Sequence, residues 1–567
     1  MFDRLKGLLN NSPGTADPAA DALPETRGAV GGQAAEFERA ADLFGRGQFD
    51  AAADLLARLL EAQHDFADAH FLLGLIEKKR GDLEAAADGF VLATAFKPDF
   101  ADAWCQLAAV EMARSDDAGG RRAIARALEG DPAHAEANAM AARLCETDKK
   151  FGRAIEHWQA VVRAQPDHAL AYCNLGRLTL RDTQDDEQAL RYVRTALSLQ
   201  PRLAEAHSCL AQLLQFQGKS EDAIRECDTA LEINPAATHP RMIRALALLS
   251  LGRYEPGWED YEERKRVYPL FAVRKFPYPE WAGGDLAGQR LLVFHEQGLG
   301  DEIMFASCFR DVLRDAPQCV IECSAKLAPL FRRSFQNATI AVGDQTNPDL
   351  TYLQSQPAID CQVAAGSLPR IYRRNLSDFP SEAGYLQADA AATQCWKERL
   401  RNTSTGDRPS IGLSWRGGVQ STNQAIRSVA PDALKLLVAS PRINFVSLQY
   451  GDRTADLAVL NAGSYARVHD WLEAQATFDE TAALVSALDL IITVDTTVAH
   501  LAGALGKPVW VMVPHNAEWR YLREGTAMPW YPTMRIFRRR HGADWSDTVM
   551  DIAQALELWQ AGFRKVD

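Results

Sequence analysis

Residues Leu490–Pro514 read LIITVDTTVAHLAGALGKPVWVMVP, and this stretch decides the fold of the second half of the chain. The apolar, β-branched run Leu490–Val494 predicts a buried strand. Residues Asp495–Thr497 suit a helix start, and the helix that follows should stop at Gly506. A second apolar run, Val509–Val513, predicts another buried strand. The stretch is therefore a compact β-α-β unit.

The turn between the first strand and the helix is suited to bind an anion. The first backbone N–H groups of a helix have no partner inside it, and the helix dipole adds partial positive charge there. A phosphate group fits such a turn without a metal ion. An ordinary capped helix in an α/β domain is the alternative that the chemistry of these residues leaves open.

The segment D-T-T-V-A-H-L-A-G-A-L-G-K-P, residues 495–508, resembles the donor-site motif of the bacterial heptosyltransferase-like glycosyltransferases, which have the GT-B fold. The resemblance implies that the segment binds the phosphate of a nucleotide-activated sugar. It places Asp495, Thr496, Thr497 and His500 in the donor site. For His500, a packed helix histidine is the alternative interpretation.

A period of 34 residues runs through the first half of the chain. Small residues recur with this period at two positions, where they let the two helices of a repeating unit approach closely, and bulky residues such as Phe90 and Val193 lie between them. The pattern resembles the tetratricopeptide repeat, in about seven copies over residues 34–266. One of the two series of small residues is Ala40, Gly74, Ala108, Ala142, Gly176, Ala211 and Ala245.

Such solenoids present a concave groove that binds protein segments. The nucleocytoplasmic protein N-acetylglucosamine transferases line this groove with an asparagine ladder, of which only Asn174 is matched here. The other matching positions are mostly apolar, which favours an amphipathic helix of a protein acceptor over an extended peptide. The predicted groove residues are Leu72, Gln106, Met140, Asn174, Cys209 and Ile243.

Residues 267–400 predict a first α/β domain with a parallel sheet, because strands alternate with helical segments. A strand at Arg290–His295 is followed by Q-G-L-G-D-E, in which Gly298 and Gly300 form a tight loop before a helix. This loop resembles the first loop of the same glycosyltransferase family, where the aspartate after the glycine is the catalytic base. The matching residue here is Asp301.

The chemistry of sugar transfer agrees with that assignment. An inverting transfer needs one carboxylate to take the proton from the acceptor hydroxyl as it attacks. A simple helix cap is the alternative role for Asp301, since aspartate is common at that position. Glu296 and Glu302 flank it and are the other candidate bases.

Residues 401–567 predict a second α/β domain that ends in a helix at about 545–563. The first strand of this domain is predicted at Ser410–Trp415. In the resembling family the loop after this strand contacts the donor, and Arg416 in this loop offers a permanent cation for phosphate. Arg427 lies in a polar loop that we expect to reach the same cleft, and the resemblance places Trp519–Tyr521 on a loop close to it. The predicted donor-binding residues are Gly298, Gly300, Ser414, Trp415, Arg416, Gln449, Asp495, Thr496, Thr497 and His500.

The composition is that of a globular protein, with 47% hydrophobic and 24% charged residues among 567. A net charge of −13 argues against a nucleic-acid partner, which would need a basic face. The 10 scattered cysteines are typical of reduced thiols. No apolar run is long enough to span a bilayer, and the start lacks the apolar core of a signal peptide, so we expect a cytoplasmic protein.

Residues 1–33 predict an N-terminal segment and a flexible linker rich in Pro, Ala and Gly. The chain contains no D-x-D metal motif, no zinc-ligand spacing and no Walker loop. We therefore expect a metal-independent GT-B enzyme that needs no cofactor besides its nucleotide-sugar donor.

The whole pattern predicts an all-α tetratricopeptide solenoid followed by a GT-B glycosyltransferase of two Rossmann-like domains. It resembles the bacterial flagellin glycosyltransferases, in which the repeats bind flagellin and the GT-B part attaches a nonulosonic, pseudaminic-type sugar to Ser or Thr. Two alternatives remain from the sequence. One is transfer of heptose or N-acetylglucosamine to another protein or a glycolipid, and the other is an inactive GT-B scaffold.

Overall fold

The structure is a computed structural model that describes residues 31–183, 185–286, 288–347, 349–403, 408–418, 424–462 and 467–563. The predicted N-terminal segment lies outside the described residues as far as residue 30. The chain divides into two compact units between Leu213 and Leu214. The repeat pattern was predicted to reach residue 266, so its last helices belong to the second compact unit.

The first unit is a solenoid of antiparallel helix pairs, as the 34-residue period predicts. Close packing within the pairs depends on the small residues: a Cβ on Gly74 would lie 2.8 Å from the ring of Phe90, and one on Gly176 would lie 2.5 Å from Val193. Its helices are α1 Gly31–Gly45, α2 Phe49–Ala62, α3 Ala67–Arg80, α4 Leu83–Phe96, α5 Ala101–Ala113, α6 Asp117–Gly130, α7 Ala135–Thr147, α8 Phe151–Ala164, α9 Ala169–Asp182, α10 Asp186–Leu199 and α11 Ala204–Phe216, the last of which runs into the second unit.

The second unit begins with the end of the repeat pattern. Arg244 replaces the leucine of earlier repeats and joins neighbouring helices, because it donates to Asp260 at 2.7 Å and to Asp228 at 2.6 Å. These helices are α12 Ser220–Ile233, α13 Thr238–Ser250, α14 Tyr254–Tyr261, α15 Arg264–Val267 and α16 Pro269–Val273.

A four-stranded parallel sheet with strand order β3-β2-β1-β4 forms the first α/β domain. Its first strand is buried along its whole length and leads into the loop that carries Asp301. The elements are β1 Leu291–Phe294, α17 Leu299–Phe305, α18 Phe309–Asp315, β2 Cys319–Cys323, α19 Ala328–Ser334, β3 Thr339–Val342, β4 Cys361–Ala364, α20 Leu368–Tyr372 and α21 Ala390–Thr403.

A seven-stranded sheet with order β10-β11-β9-β8-β5-β6-β7 forms the second α/β domain, and only the β10–β11 pair is antiparallel. The fold is of the predicted GT-B type. The elements are β5 Ser410–Ser414, α22 Gln424–Arg427, α23 Pro431–Val438, β6 Asn444–Ser447, α24 Thr454–Asn461, β7 Val468–His469, α25 Phe478–Ala487, β8 Leu490–Val494, α26 Thr497–Ala504, β9 Val509–Val513, β10 Ala527–Met528, β11 Tyr531–Arg538 and α27 Ser546–Gly562.

An aromatic cluster joins α14 to both α/β domains. The Trp258 ring packs edge-on against Trp519 and Trp530 of the second domain, with ring centroids 5.4 and 6.3 Å away. Its indole N–H donates to the carbonyl of Arg373 in the first domain at 2.8 Å. The end of the repeat pattern is therefore part of the hydrophobic core that holds the two domains together.

None of the described helices combines the length and the apolar character needed to cross a membrane.

Candidate functional site

The loops after β1, β5 and β8 carry most of the predicted site residues. Parallel strands end at the same edge of a sheet, and ligands bind there where the strand order reverses. The loops after β5 and β8 touch, since a Cβ on Gly417 would lie 3.0 Å from the carbonyl oxygen of Asp495. The α17 helix, which carries Asp301, packs against α26, which carries His500.

Asp301 makes two contacts that together hold its carboxylate in place. Its Oδ2 accepts the backbone N–H of Gly298 at 3.3 Å, which caps the short helix α17. Its Oδ1 lies 2.9 Å from Nη2 of Arg520, which belongs to the second α/β domain. The alternative role of helix cap is thus observed, and the same side chain also meets a cation across the domain boundary.

The two other candidate bases are occupied elsewhere. Glu296 is fully buried, pairs with Arg264 at 2.8 Å and accepts the backbone N–H of Gly366 at 2.7 Å. Glu302 accepts the backbone N–H of Ser324 at 2.8 Å, and its burial raises its pKa. Asp301 is the carboxylate of this segment that keeps partial exposure, 18% of its side chain.

His295, at the end of β1, is also held in the interior. Its Nδ1 lies 2.5 Å from Glu322, which in turn accepts Arg274 at 2.5 Å. Burial opposes the charged form of His295, but the bond to Glu322 and the nearby carboxylates raise its pKa overall. These three residues form a buried charge network behind the Asp301 loop.

The Asp495 side chain is buried, and both of its carboxylate oxygens contact other side chains of the protein. Its Oδ1 accepts the hydroxyl of Tyr521 at 2.7 Å, and its Oδ2 lies 2.9 Å from Nη2 of Arg427. Burial alone would favour the neutral acid, but the charge of Arg427 and its neighbours lowers the pKa of Asp495. Asp495 therefore holds Arg427 beside the turn that begins α26.

The N-terminus of α26 has no capping hydrogen bond from the side chain of its N-cap residue. Thr496 stands at the N-cap position with extended backbone, and its side chain makes no capping hydrogen bond. Thr497 is the first helical residue. The first N–H groups of such a helix can bind an acceptor such as phosphate.

His500 lies one turn further along α26 and is 2% exposed. Its Nε2 is 3.4 Å from Nη1 of Arg520, and its Nδ1 is 3.0 Å from the hydroxyl of Tyr531. Burial and the charge of Arg520 lower its pKa to about 4, so the ring is neutral at physiological pH. A Cβ on Gly300 would lie 3.0 Å from Cδ2 of His500, so a larger residue there would require the ring or the loop to shift.

Ser414, Trp415 and Gln449 shape the loop after β5 rather than offering free side chains. All three are buried. The Gln449 amide oxygen accepts the Ser414 hydroxyl at 3.3 Å and the backbone N–H of Trp415 at 2.9 Å. Arg416 is one-third exposed and pairs with Asp456 at 3.2 Å, so its guanidinium is already neutralised on one side.

A cleft of about 350 Å³ adjoins Asp495 and is rich in cations. Its walls come from the loops after β8, β9 and β11 and from the end of the repeat pattern. Burial first, and then the electrostatic effect of His541 and of nearby arginines, lower the pKa of His515. Burial lowers the pKa of Arg539, which lies over the Trp545 ring. The charged lining residues are Arg427, Asp495, His515, Glu518, Arg539, Arg540 and His541.

The first α/β domain has a second cleft, of about 600 Å³, on the other side of the Asp301 loop. It is lined by residues that follow β1, β2 and β3, including Gln297, Gly298 and Lys326. The cleft thus reaches the backbone of the Asp301 loop.

Two residues beside the site have left-handed backbone that their side chains disfavour. Gln297 has a φ of 64° and precedes the Asp301 loop, and Leu522 has a φ of 55° and follows Arg520. Gln297 is held there because its amide and the hydroxyl of Tyr261 exchange hydrogen bonds. Strain of this kind concentrates at functional sites.

The predicted groove residues of the repeats do not form an open apolar surface. Leu72, Met140, Cys209 and Ile243 are each less than 9% exposed, because they pack between helices of successive units. Gln106 is buried and accepts Lys78 at 2.7 Å. Asn174 is partly exposed and accepts Arg177 at 3.3 Å. The expectation of an apolar groove built from these side chains is therefore corrected.

Several residues of the site were not predicted from the sequence. Tyr531 and the pair Arg539–Arg540 lie 23 or more residues beyond the quoted segment 495–508, and nothing local marks them. His515 directly follows the quoted stretch, but no motif there singles it out. The run R-R-R-H at 538–541 is the one sequence signal that a search for clustered cations could have used. Within the described residues, no group of three or more His, Cys, Asp or Glu side chains could hold a metal ion.

Comparison with known proteins identifies both parts of the chain. The tetratricopeptide repeat family matches residues 37–102 and 147–204, and glycosyltransferase family 9 (heptosyltransferase) matches residues 458–512. The chain is 31% identical over 444 residues to Protein FlbA of Caulobacter vibrioides (strain ATCC 19089 / CIP 103742 / CB 15), over 75% of this chain and 73% of that protein.

Solved structures match the helical part at low similarity. The Pseudomonas aeruginosa pilF structure has a TM-score of 0.31 at 20% identity and covers 36% of this chain and 92% of its own. YrrB, described as a TPR protein with an unusual peptide-binding site, has a TM-score of 0.30 at 16% identity and covers 33% and 96%. Scores at this level carry no argument about what the chain does.

Proposed function

Because the chain belongs to the family of Protein FlbA and joins tetratricopeptide repeats to a glycosyltransferase family 9 region, we propose that it is a protein glycosyltransferase using a nucleotide-activated sugar. One observation carries the proposal. The carboxylate of Asp301 in the first α/β domain contacts Arg520 of the second, and Arg520 in turn contacts His500 on α26, the helix whose N-cap is Thr496.

The geometry supports an inverting transfer. The acceptor hydroxyl oxygen forms a bond to the anomeric carbon of the sugar, and Asp301 accepts the hydroxyl proton. The bond from that carbon to the phosphate oxygen breaks, and its electron pair leaves with the nucleotide. Asp301 suits the role of base because its competitors Glu296 and Glu302 are bonded in the interior.

The departing phosphate is stabilised, in this proposal, by groups that are already in position. The uncapped N–H groups at the start of α26 face the donor phosphate, and Arg427 is held beside them by Asp495. Fixed donors of this kind stabilise charge without reorganising as it develops. A metal ion is not required by this arrangement, so the proposed reaction is metal-independent.

The best candidate for the sugar is an acidic one of the nonulosonic, pseudaminic-type class. The cleft beside Asp495 has more cations than carboxylates, although the whole chain has a net charge of −13. Arg539 and Arg540 line this cleft together with Arg427 and would pair with a carboxylate of the sugar itself. Heptose and N-acetylglucosamine have no such group.

The proposed acceptor is a Ser or Thr of a protein that the repeats recruit, with flagellin as the best candidate. Repeat solenoids bind protein segments along an extended surface, and the first compact unit contains none of the residues assigned to sugar transfer. To test recruitment, the full chain and residues 214–567 would be compared on purified flagellin and on donor hydrolysis. Equal flagellin modification by both would exclude a recruiting role.

A thermal-shift panel tests the donor. A ligand that binds the folded state stabilises it in proportion to the logarithm of its concentration over its Kd. Nucleotides and nucleotide sugars with acidic and neutral sugars would be added to the wild type and to Arg539→Gln. We expect the largest shift from an acidic sugar donor, reduced in Arg539→Gln, whereas neutral donors should not distinguish the two proteins. No shift with any nucleotide would favour the inactive scaffold.

A further inference from the structure

The contact between Arg520 and Asp301 joins two residues that come from different α/β domains. Asp301 is the proposed base, and a base bound to a guanidinium is a weaker proton acceptor. Arg520 follows β9 in the domain that holds the donor. Their 2.9 Å contact therefore joins the loop of the proposed base to the domain of the proposed donor site.

The hydrogen bonding of this pair is incomplete. Oδ1 of Asp301 and Nε of Arg520 are both inaccessible to solvent, and neither has an aligned hydrogen-bond partner. The Arg520 side chain is 14% exposed and lies over the ring of Trp519, 5.5 Å from its centre. A buried guanidinium with an unused donor favours an additional or better acceptor.

The groups around Arg520 direct it toward the donor. His500 is neutral and accepts from Nη1 at 3.4 Å, so it does not compete for the charge. Asp495 and Glu518 are the other carboxylates whose charge acts on Arg520. Of these, Asp495 is bonded to Arg427 and Tyr521. The contact of Arg520 with α26 is at His500, one turn from the start of the helix where the proposed donor phosphate binds.

We propose that Arg520 is a donor-responsive residue that restrains Asp301 in the free enzyme and moves to an anionic group of the donor when it binds, which releases Asp301 to act as the base. The inference rests on the proposed function and deepens it. It couples activation of the acceptor hydroxyl to the presence of donor. The anionic group is either the donor phosphate or a carboxylate of the sugar.

The test is a double-mutant cycle on binding, in the full-length protein, with Asp301→Asn, Arg520→Gln and both together. The phosphate probes are CMP and UDP, and the carboxylate probe is N-acetylneuraminic acid. Calorimetry measures the affinity of each probe for each protein. Asp301→Asn frees Arg520 and should tighten binding about tenfold, whereas Arg520→Gln should weaken it about tenfold. In the Arg520→Gln background, Asp301→Asn should have no further effect. Arg520→Lys should recover part of the affinity.

The outcomes separate the possibilities. A gain in CMP or UDP binding identifies phosphate as the anion, and a gain for the sugar acid alone identifies the carboxylate. Unchanged affinity in Asp301→Asn, or additive effects of the two substitutions in the double variant, would overturn the inference. If the wild type still binds a probe in that case, the proposed function is not affected. Absence of binding by every probe to the wild type would overturn both. Asp301→Ser provides a second charge-free variant that can still cap α17.

A matched pair of exposed residues controls for charge effects. Arg399 and Glu473 lie 2.6 Å apart on the surface of the same unit, with side chains 39% and 57% exposed. Arg399→Gln and Glu473→Gln should leave the affinity for all probes unchanged. A merely structural Arg520 would lower the melting temperature and weaken binding, but it would not produce tighter binding in Asp301→Asn.

Discussion

Arg264 and Glu296 are both fully buried and lie 2.8 Å apart, which ties the end of the repeat pattern to the loop of the proposed base. Arg264 also donates to Ser367 at 2.8 Å and to Glu262 at 2.8 Å. Arg264, which precedes the first α/β domain in sequence, thus contacts the segment that leads into the Asp301 loop.

This pair predicts the effect of removing one partner. Arg264→Ala leaves Glu296 charged and unpaired in the interior, so the free energy of unfolding should fall by about 3–5 kcal/mol. Urea unfolding measures the change. Arg399→Ala, which breaks an exposed pair, should cost at most about 1 kcal/mol.

A chain that starts at residue 267 lacks Trp258, Tyr261 and Arg264 and should bind nucleotide poorly, unlike residues 214–567.

Asp301→Asn is predicted to abolish transfer without weakening donor binding. The amide keeps the size of the side chain but accepts no proton, so kcat should fall roughly 10²- to 10⁴-fold. Steady-state kinetics with a saturating donor measure this loss. Glu302→Gln is the companion variant, and it should keep most of its turnover because Glu302 faces the interior. Near wild-type turnover in Asp301→Asn would exclude it as the base.

Gly300→Ala is predicted to lower turnover with little effect on stability. The added methyl group would lie 3.0 Å from His500 and push the Asp301 loop away from α26. Alanine is the better helix former by up to about 1 kcal/mol, so the melting temperature should change little. Turnover should fall about tenfold or more, because small displacements of a base are costly. Gly562→Ala, with no heavy atom within 4 Å of the new methyl, should leave turnover unchanged.

His500 predicts a dependence of stability on pH. Its pKa is lowered from 6.5 to about 4 by burial and by Arg520, so the unfolded chain binds a proton in this interval that the folded protein does not. Its contribution is complete above pH 6.5 and is lost as the pH falls toward 4, in total by about 3 kcal/mol. Urea unfolding at pH 7.5 and 5 should show a smaller difference for His500→Gln than for the wild type. An equal difference would contradict a buried neutral imidazole.

Asp495→Asn should weaken nucleotide binding more than Arg416→Ala does. Asp495 holds Arg427 at the start of α26, whereas Arg416 is partly exposed and paired with Asp456. We expect a loss of about tenfold for Asp495→Asn and a smaller loss for Arg416→Ala, since a misplaced cation forfeits a charge-assisted bond to phosphate. Calorimetry with CMP and UDP measures both. Equal affinities in all three proteins would remove these residues from the donor site.

Much of the local structure is determined by the sequence alone. The strand predicted at Leu490–Val494 and the strand at Val509–Val513 have the predicted bounds, and the predicted helix stop at Gly506 has a φ of 75°. Apolar runs, turn residues and the 34-residue period suffice for this because each depends on neighbours within one element or one repeat. The predicted roles of Asp301 and Asp495 remain predictions.

Only the tertiary structure decided which side chains of these elements meet. Glu296, Asp301 and Glu302 are equivalent carboxylates in sequence, and what separates them is contact with Arg264, Arg520 and Ser324, which lie up to 219 positions away. The packing of the repeats likewise buried Leu72 and its counterparts, which the period alone left facing a groove. Burial and charge pairing depend on residues brought together by the fold, and no local pattern encodes those partners.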